Sequence, residues 1–266
     1  MNETIRILKN RKSVRKYTGE PLPEAVKQEI IRAALRAPSA GAMMLYSIID
    51  VTEQPVKDEL ALLCDHQPFI AQAPFVLVFL ADYQRWMDYF RFSDVSSACE
   101  TFGRQPRYPA EGDFLLACMD ALIAAQNAVV AAESLGVGSC YIGDIIENYE
   151  KVRALLALPQ WAAPIGMLCF GYPTQQQMDR KPVERLFDGR AVVYANRYRR
   201  LNDADFAALV SIPERETIVD AEAVNPLARL NPGQHNYIRK FTADFSLEMT
   251  RSVKEILKNW QGDPES

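Results

Sequence analysis

The chain has 266 residues, 48% hydrophobic and 24% charged, an ordinary globular composition with enough apolar material for a sizeable core. A net charge of −4 argues against a general nucleic-acid binder, although a small phosphate needs only two or three local cations. The five cysteines (Cys64, Cys99, Cys118, Cys140, Cys169) lack C-x-x-C spacing, and His66 and His235 stand alone, so reduced buried thiols and no zinc or iron site are expected.

In chain order, residues 3–10 read as a short helix leading into a basic cluster. No long apolar stretch follows the N-terminus, so a signal peptide is not expected and a cytoplasmic location is. Pro21 and Pro23 mark a turn, and a helix is predicted over 23–37, with Val26, Ile30 and Ala34 on one face and Pro38 as its stop. Residues 46–51 form a β-rich run, 55–63 a helix, and 75–80 a continuous apolar run of the kind that suits a strand covered on both faces. The stretch 82–112 resists assignment. Residues 114–132 are apolar enough to suggest a membrane span, but Asp120, Gln126 and Asn127 interrupt it, so a helix in a core or subunit interface is expected, with no membrane. It extends to Leu135, where Gly136 suits the helix end. A strand at 139–142, a helix at 148–156 and a strand at 165–170 follow. Loop signals fill 211–234, and a last amphipathic helix carries Met249, Val253, Ile256 and Trp260 on one face. Strands that alternate with helices predict an α/β or α+β domain on one sheet.

Four short segments carry candidate chemistry. In Arg11-Lys12-Ser13-Val14-Arg15, forked guanidiniums and a hydroxyl suit a phosphomonoester; taken alone the cluster reads better as a solvated basic patch. Ala37-Pro38-Ser39-Ala40-Gly41-Ala42 lets backbone approach a flat ligand, and reads equally well as a helix-to-strand turn. Leu135 to Asp144 is glycine-rich but lacks the dinucleotide fingerprint, and its plain reading is a helix cap before a core strand. Arg180-Lys181-Pro182, with Arg185 nearby, adds cations or is a solvated charged loop.

Together these segments resemble the FMN-dependent nitroreductase family, above all its oxygen-insensitive NADPH nitroreductase and flavin reductase group. The resemblance rests on A-Q-N-A-V-V-A-A-E-S-L-G-V-G followed by Y-I-G within Asp120–Gly143, and on the opening R-K-S-V-R-K-Y. It covers residues 3–198 and is weaker beyond, where F-S-L-E-M-T-R-S-V-K-E-I-L-K-N-W is similar to the family's terminal helix. It implies an α+β fold with a mixed central sheet flanked by helices, an intertwined homodimer, and one FMN per subunit at the interface. Residues 1–198 would form the FMN-binding core and 199–266 an extension that packs on the partner. Arg11, Lys12, Ser13 and Arg15 would serve the phosphate and ribityl end, with Lys181 reaching the phosphate. Ser39, Ala40, Gly41 and Gln67 would line the flavin, and Tyr141, Ile142, Gly143 and Asp144 would present backbone to its ring. No catalytic side chain is implied.

Three departures stand out. Ala42 and Met44 occupy positions where the family often has an amide, Asp144 replaces the second glycine of Y-I-G-G, and Val183 follows Lys181-Pro182, leaving Arg185 as a substitute for an arginine. The expected reaction is ping-pong transfer of hydride from NADPH or NADH to nitroaromatics, quinones or similar small acceptors. Flavin reductase, enone reductase, reductive dehalogenase and a flavin-binding sensor or carrier stand as alternatives.

Overall fold

The computed structural model describes residues 2–210 and 230–261. The chain divides into two units, the first comprising residues 1–181 with 247–266 and the second 182–246. The boundary expected at 198 thus falls inside the second unit, and most of the last helix belongs with the first.

The first unit is built on β1 (Tyr46–Asp50), β2 (Phe75–Asp82), β3 (Gly138–Ile142) and β4 (Ala162–Gly171), in the spatial order β1-β2-β4-β3. Neighbouring strands are antiparallel. A parallel bridge between Ser13 and Ser139 brings the N-terminal segment to the β3 edge. The helices are α1 (Glu3–Asn10), α2 (Glu24–Leu35), α3 (Gln54–Leu63), α4 (Phe69–Gln72), α5 (Gln84–Phe92), α6 (Val95–Thr101), α7 (Glu111–Ser134), α8 (Tyr149–Leu155) and α9 (Gln175–Met178). A sheet with helices packed on both faces is the expected α+β arrangement. Its four strands, however, pair antiparallel throughout instead of forming the mixed sheet expected, and the parallel pairing is confined to the Ser13–Ser139 bridge among the described residues.

β2 is buried throughout, and its side chains alternate between two cores, as a pleated strand requires. Phe75, Leu77 and Phe79 join Leu168 and Phe170 beneath α2 and α7. Val76, Val78 and Leu80 join Met167 and Cys169 beneath α3 and α8. A third cluster, with Leu45, Ala81, Tyr149 and Trp161, receives Ile256 and Trp260 from α12 (Asp244–Trp260). There Trp161 Nε1 donates to the Trp260 carbonyl at 2.9 Å.

α7 is long and apolar enough to cross a membrane by length and composition, yet its alanine face packs inside the fold. Ala121, Ala124, Ala125 and Ala128 are fully buried and let the helix lie close to the sheet. Its other face presents Leu115, Met119, Leu122 and Ile123, each more than 40% exposed in the single chain. Gly136, at φ 74°, ends the helix as expected. The unassigned stretch 82–112 holds α5 and α6, neither with a buried residue. Trp86 and Met87 of α5 reach the third cluster only partly buried, so the stretch shows no fully buried run to read.

In the second unit, Phe187 bridges Val210, and α10 (Asp203–Leu209) starts on a reciprocal cap between Asn202 and Asp205. α11 (Pro232–Asn236) begins on Asn231, which caps it with Gln234. The loop expected at 211–234 lies outside the described residues over 211–229.

Candidate functional site

α1 ends at Asn10, and the chain turns along the edge of β3. Val14 N–H donates to the Ser139 carbonyl at 2.9 Å. A Cβ on Gly138 would stand 2.5 Å from a Val14 methyl, so only glycine permits this approach. The segment places Ser13 within hydrogen-bonding reach of the Cys140 thiol and brings the Arg11 guanidinium toward Glu133, Cys140 and Tyr141. Arg11 Nη1 is buried and has no hydrogen-bond partner. A buried guanidinium nitrogen without an acceptor is costly, and an anionic ligand oxygen would relieve it. Burial raises the Glu133 carboxyl, against a hydrogen bond from Ser139 and the pull of Arg11 and Lys12. Burial likewise pushes the Tyr141 phenol up to about 12.

Residues 177–181 run beside this segment. Arg15 N–H donates to Gln177 Oε1 at 3.2 Å, and its guanidinium lies over the Phe69 ring at 5.8 Å. Gln177 is only 5% exposed, so this bond is built into the fold. Lys12 Nζ donates to the carbonyls of Met178 and Arg180. Lys12 therefore braces the backbone next to Lys181, whose own side chain is exposed. Arg11 and Arg15 form no ion pair among the described residues.

The loop at 39–45 is held from several sides. Gly41, Ala42 and Met44 adopt left-handed backbone, with φ of 55°, 57° and 52°. The Asp120 carboxylate, 2% exposed, accepts from Ala40 N–H at 3.0 Å and Leu45 N–H at 3.1 Å. Ser39 Oγ accepts from Met44 N–H at 3.0 Å. From α5, Trp86 Nε1 donates to the Met43 carbonyl at 2.7 Å, and Arg85 donates to the carbonyls of Met44 and Tyr46.

Gln67 follows a left-handed turn at Asp65 and His66. Its Nε2 donates to the Cys64 carbonyl at 3.0 Å and to Asp144 Oδ2 at 2.7 Å. Asp144 opens a 3-10 turn directly after Gly143, and Glu147 closes it. Glu147 is 5% exposed, and burial, then Asp144, raise its carboxyl to about 8.

The structure thus brings Arg11, Lys12, Ser13 and Arg15 to the β3 edge beside Tyr141 and next to the Lys181 segment. Gln67 joins Asp144, just past Ile142 and Gly143. Ser39, Ala40 and Gly41 attach to α7 at Asp120, whereas the Arg11 end meets α7 at Glu133. Those two positions are roughly 20 Å apart along the helix at 1.5 Å per residue. Sequence reasoning took Asp120 only as an interruption of an apolar run and gave no role to Gln177, Arg85, Trp86 or Glu147. A carboxylate inside an alanine-rich buried helix was the available signal, since it must find donors. A separate cavity of about 700 Å³ lies by α5 and α6, where Tyr108 stacks on Trp161 at 5.6 Å. It shares no lining residue with the candidate set.

Comparison with known proteins matches residues 8–172 to the Nitroreductase family. The chain is 34% identical over 203 residues to the oxygen-insensitive NADPH nitroreductase of Salmonella typhimurium strain LT2, covering 76% of this chain and 78% of that one. It is 32% identical over 206 residues to an NADPH-flavin oxidoreductase of Vibrio harveyi, covering 76% and 77%. The solved NADPH:FMN oxidoreductase from Vibrio harveyi, complexed with NAD+, superposes with a TM-score of 0.74 over 96% of this chain and 98% of its own, at 26% identity. With the family profile spanning most of the first unit, and relatives above 30% identity over three quarters of the chain, this protein belongs to the nitroreductase family.

Proposed function

We propose that the chain is an FMN-dependent oxidoreductase that takes reducing equivalents from NADPH or NADH and delivers them to nitroaromatics, quinones or similar small acceptors, working as a cytoplasmic homodimer. The observation that carries the cofactor assignment is the buried, unpartnered Nη1 of Arg11 beside Ser13. This donor pair fits one terminal phosphate, in a chain whose relatives carry FMN and NADPH in their names. Arg11, Ser13 and Arg15 would hold the phosphate and ribityl end, with Lys181 kept nearby by Lys12. Gln67 and the backbone of Tyr141, Ile142, Gly143 and Asp144 would border the ring. Bound FMN supplies the two-electron chemistry, so the protein's part is to bind, orient and exclude.

The exposed apolar face of α7 supports the homodimer reading, because a monomer rarely leaves such a row in water. In a dimer, the Ser39–Gly41 loop of one subunit would meet the Arg11 end of the other, joining two groups that α7 holds apart within one chain. Flavin reduction is a second reading, favoured by the flavin oxidoreductase among the relatives. The cofactor assignment is tested by denaturing the purified protein and weighing the released ligand. FMN is expected; FAD, haem, or an apoprotein that takes up no FMN would sink it.

A further inference from the structure

Gln67 has both amide N–H groups committed inside the protein, one to the Cys64 carbonyl and one to the Asp144 carboxylate. Both partners are acceptors, so the nitrogen and not the oxygen of the amide must face them. The polar atom left for a ligand is Oε1, which can only accept. Behind Asp144 stands Glu147, 5% exposed, with an Oε1 that has no hydrogen-bond partner. The charged groups acting on Glu147 come from three places: Asp144 on its own turn, Asp65 after α3, and Glu248 on α12. All three are acidic. The Cys64 thiol faces both Asp144 and Glu147. Glu248 is itself paired with Arg251, which also holds Glu150 of α8. Two carboxyls in such surroundings repel when both are ionised.

We propose that Asp144 and a protonated Glu147 act as a positioning pair for Gln67, fixing its amide with the carbonyl oxygen toward the bound flavin. The proposal rests on the placement of Gln67 at the flavin given above. The proton belongs to Glu147, whose carboxyl is raised to about 8 by burial and then by Asp144. While Glu147 holds that proton, Asp144 takes the Gln67 N–H at 2.7 Å. Loss of that proton puts a second negative charge behind Gln67. FMN, itself anionic, then binds more weakly as pH rises through about 8.

The test is FMN titration into the apoprotein, followed by fluorescence quenching, from about pH 6.5 to about pH 9.5. Wild-type affinity is expected to fall about threefold to tenfold across that window. Glu147→Gln should flatten the profile. Asp144→Gly should flatten it too and weaken binding at every pH, since Gln67 loses its restraint. Ionisation of FMN itself affects all variants alike and cancels in the comparison. Parallel profiles in wild type and Glu147→Gln, with FMN bound by both, overturn the pair and leave the flavin site standing. A wild type that binds no FMN at any pH overturns the flavin reading and the pair with it. Infrared spectra of the wild type need no variant. A protonated-carboxyl band at neutral pH that fades above about pH 8 supports the pair, and its absence at neutral pH overturns it.

Discussion

Arg11 is the residue on which the phosphate assignment turns. Its Nη1 is buried without a partner, so truncation removes a donor that only a ligand would use. Arg11→Ala should weaken FMN binding about tenfold to a hundredfold, the loss of one charge-assisted hydrogen bond of about 1.5–3 kcal/mol. Ser13→Ala should cost less. Titration of the apo variants checks both, and an unchanged affinity in Arg11→Ala contradicts the assignment. Ala42 carries a different expectation. At φ 57° its Cβ is crowded, at a cost of about 1–2 kcal/mol that glycine avoids. Ala42→Gly should therefore raise the melting temperature, by a stability gain of up to about 1 kcal/mol after the entropy of the freer unfolded chain. A lower melting temperature would mean that the alanine methyl packs better than the backbone suffers. The sequence marked Ala42 and Met44 as unusual for the family. Their backbone strain was not legible there, because it arises from the way Asp120, Trp86 and Arg85 pin the loop from elements distant in the chain.

At the scale of elements, the legible parts are those whose burial is periodic. β2 and β4 show as apolar runs because both faces are covered, and α2 shows through Ile30 and Ala34. α5 and α6 were illegible because neither buries a residue fully: Trp86 and Met87 only edge the third cluster, and Arg85 and Trp86 of α5 grip loop backbone instead. Asp144 was legible as a departure from the family pattern, whereas its partner Glu147 was not, since only the folded turn puts the two carboxyls together. α12 was legible from its apolar face, but its polar anchor was not. Glu248 accepts from Asn148 N–H at 3.1 Å and from Ser252 Oγ at 3.0 Å. The hydrogen bond from Arg251 holds its carboxyl at about 2, below the ordinary value of 4.5. A carboxyl lowered on folding stabilises the native state above its unfolded pKa, and that contribution is lost as pH falls toward the folded value. Glu248→Gln should thus be less stable than wild type by roughly 1 kcal/mol near neutral pH, a figure kept small because the group is partly solvated. The gap should close between about pH 4.5 and about pH 2. Denaturant unfolding at a series of pH values measures it, and a gap that stays constant with pH contradicts the anchoring role.

For the whole molecule, the exposed face of α7 is the feature a single chain leaves unexplained. Met119 and Leu122 lie on that face at 48% and 44% exposure, which no buried core helix would show. Glu at both positions should convert a dimer into monomer in sedimentation at micromolar concentration and weaken FMN binding with it, since interfaces of this kind act as a divided core. A wild type that sediments as a folded, FMN-bound monomer contradicts the assembly. One flavin site should serve a nicotinamide donor and an acceptor in turn. Anaerobic stopped-flow spectroscopy of the yellow protein tests it most directly. NADPH or NADH alone should bleach the flavin absorbance, and a nitroaromatic or quinone mixed in afterwards should restore it, with parallel double-reciprocal lines in steady state. A bound flavin that neither nicotinamide bleaches, or intersecting lines in steady state, would contradict the account.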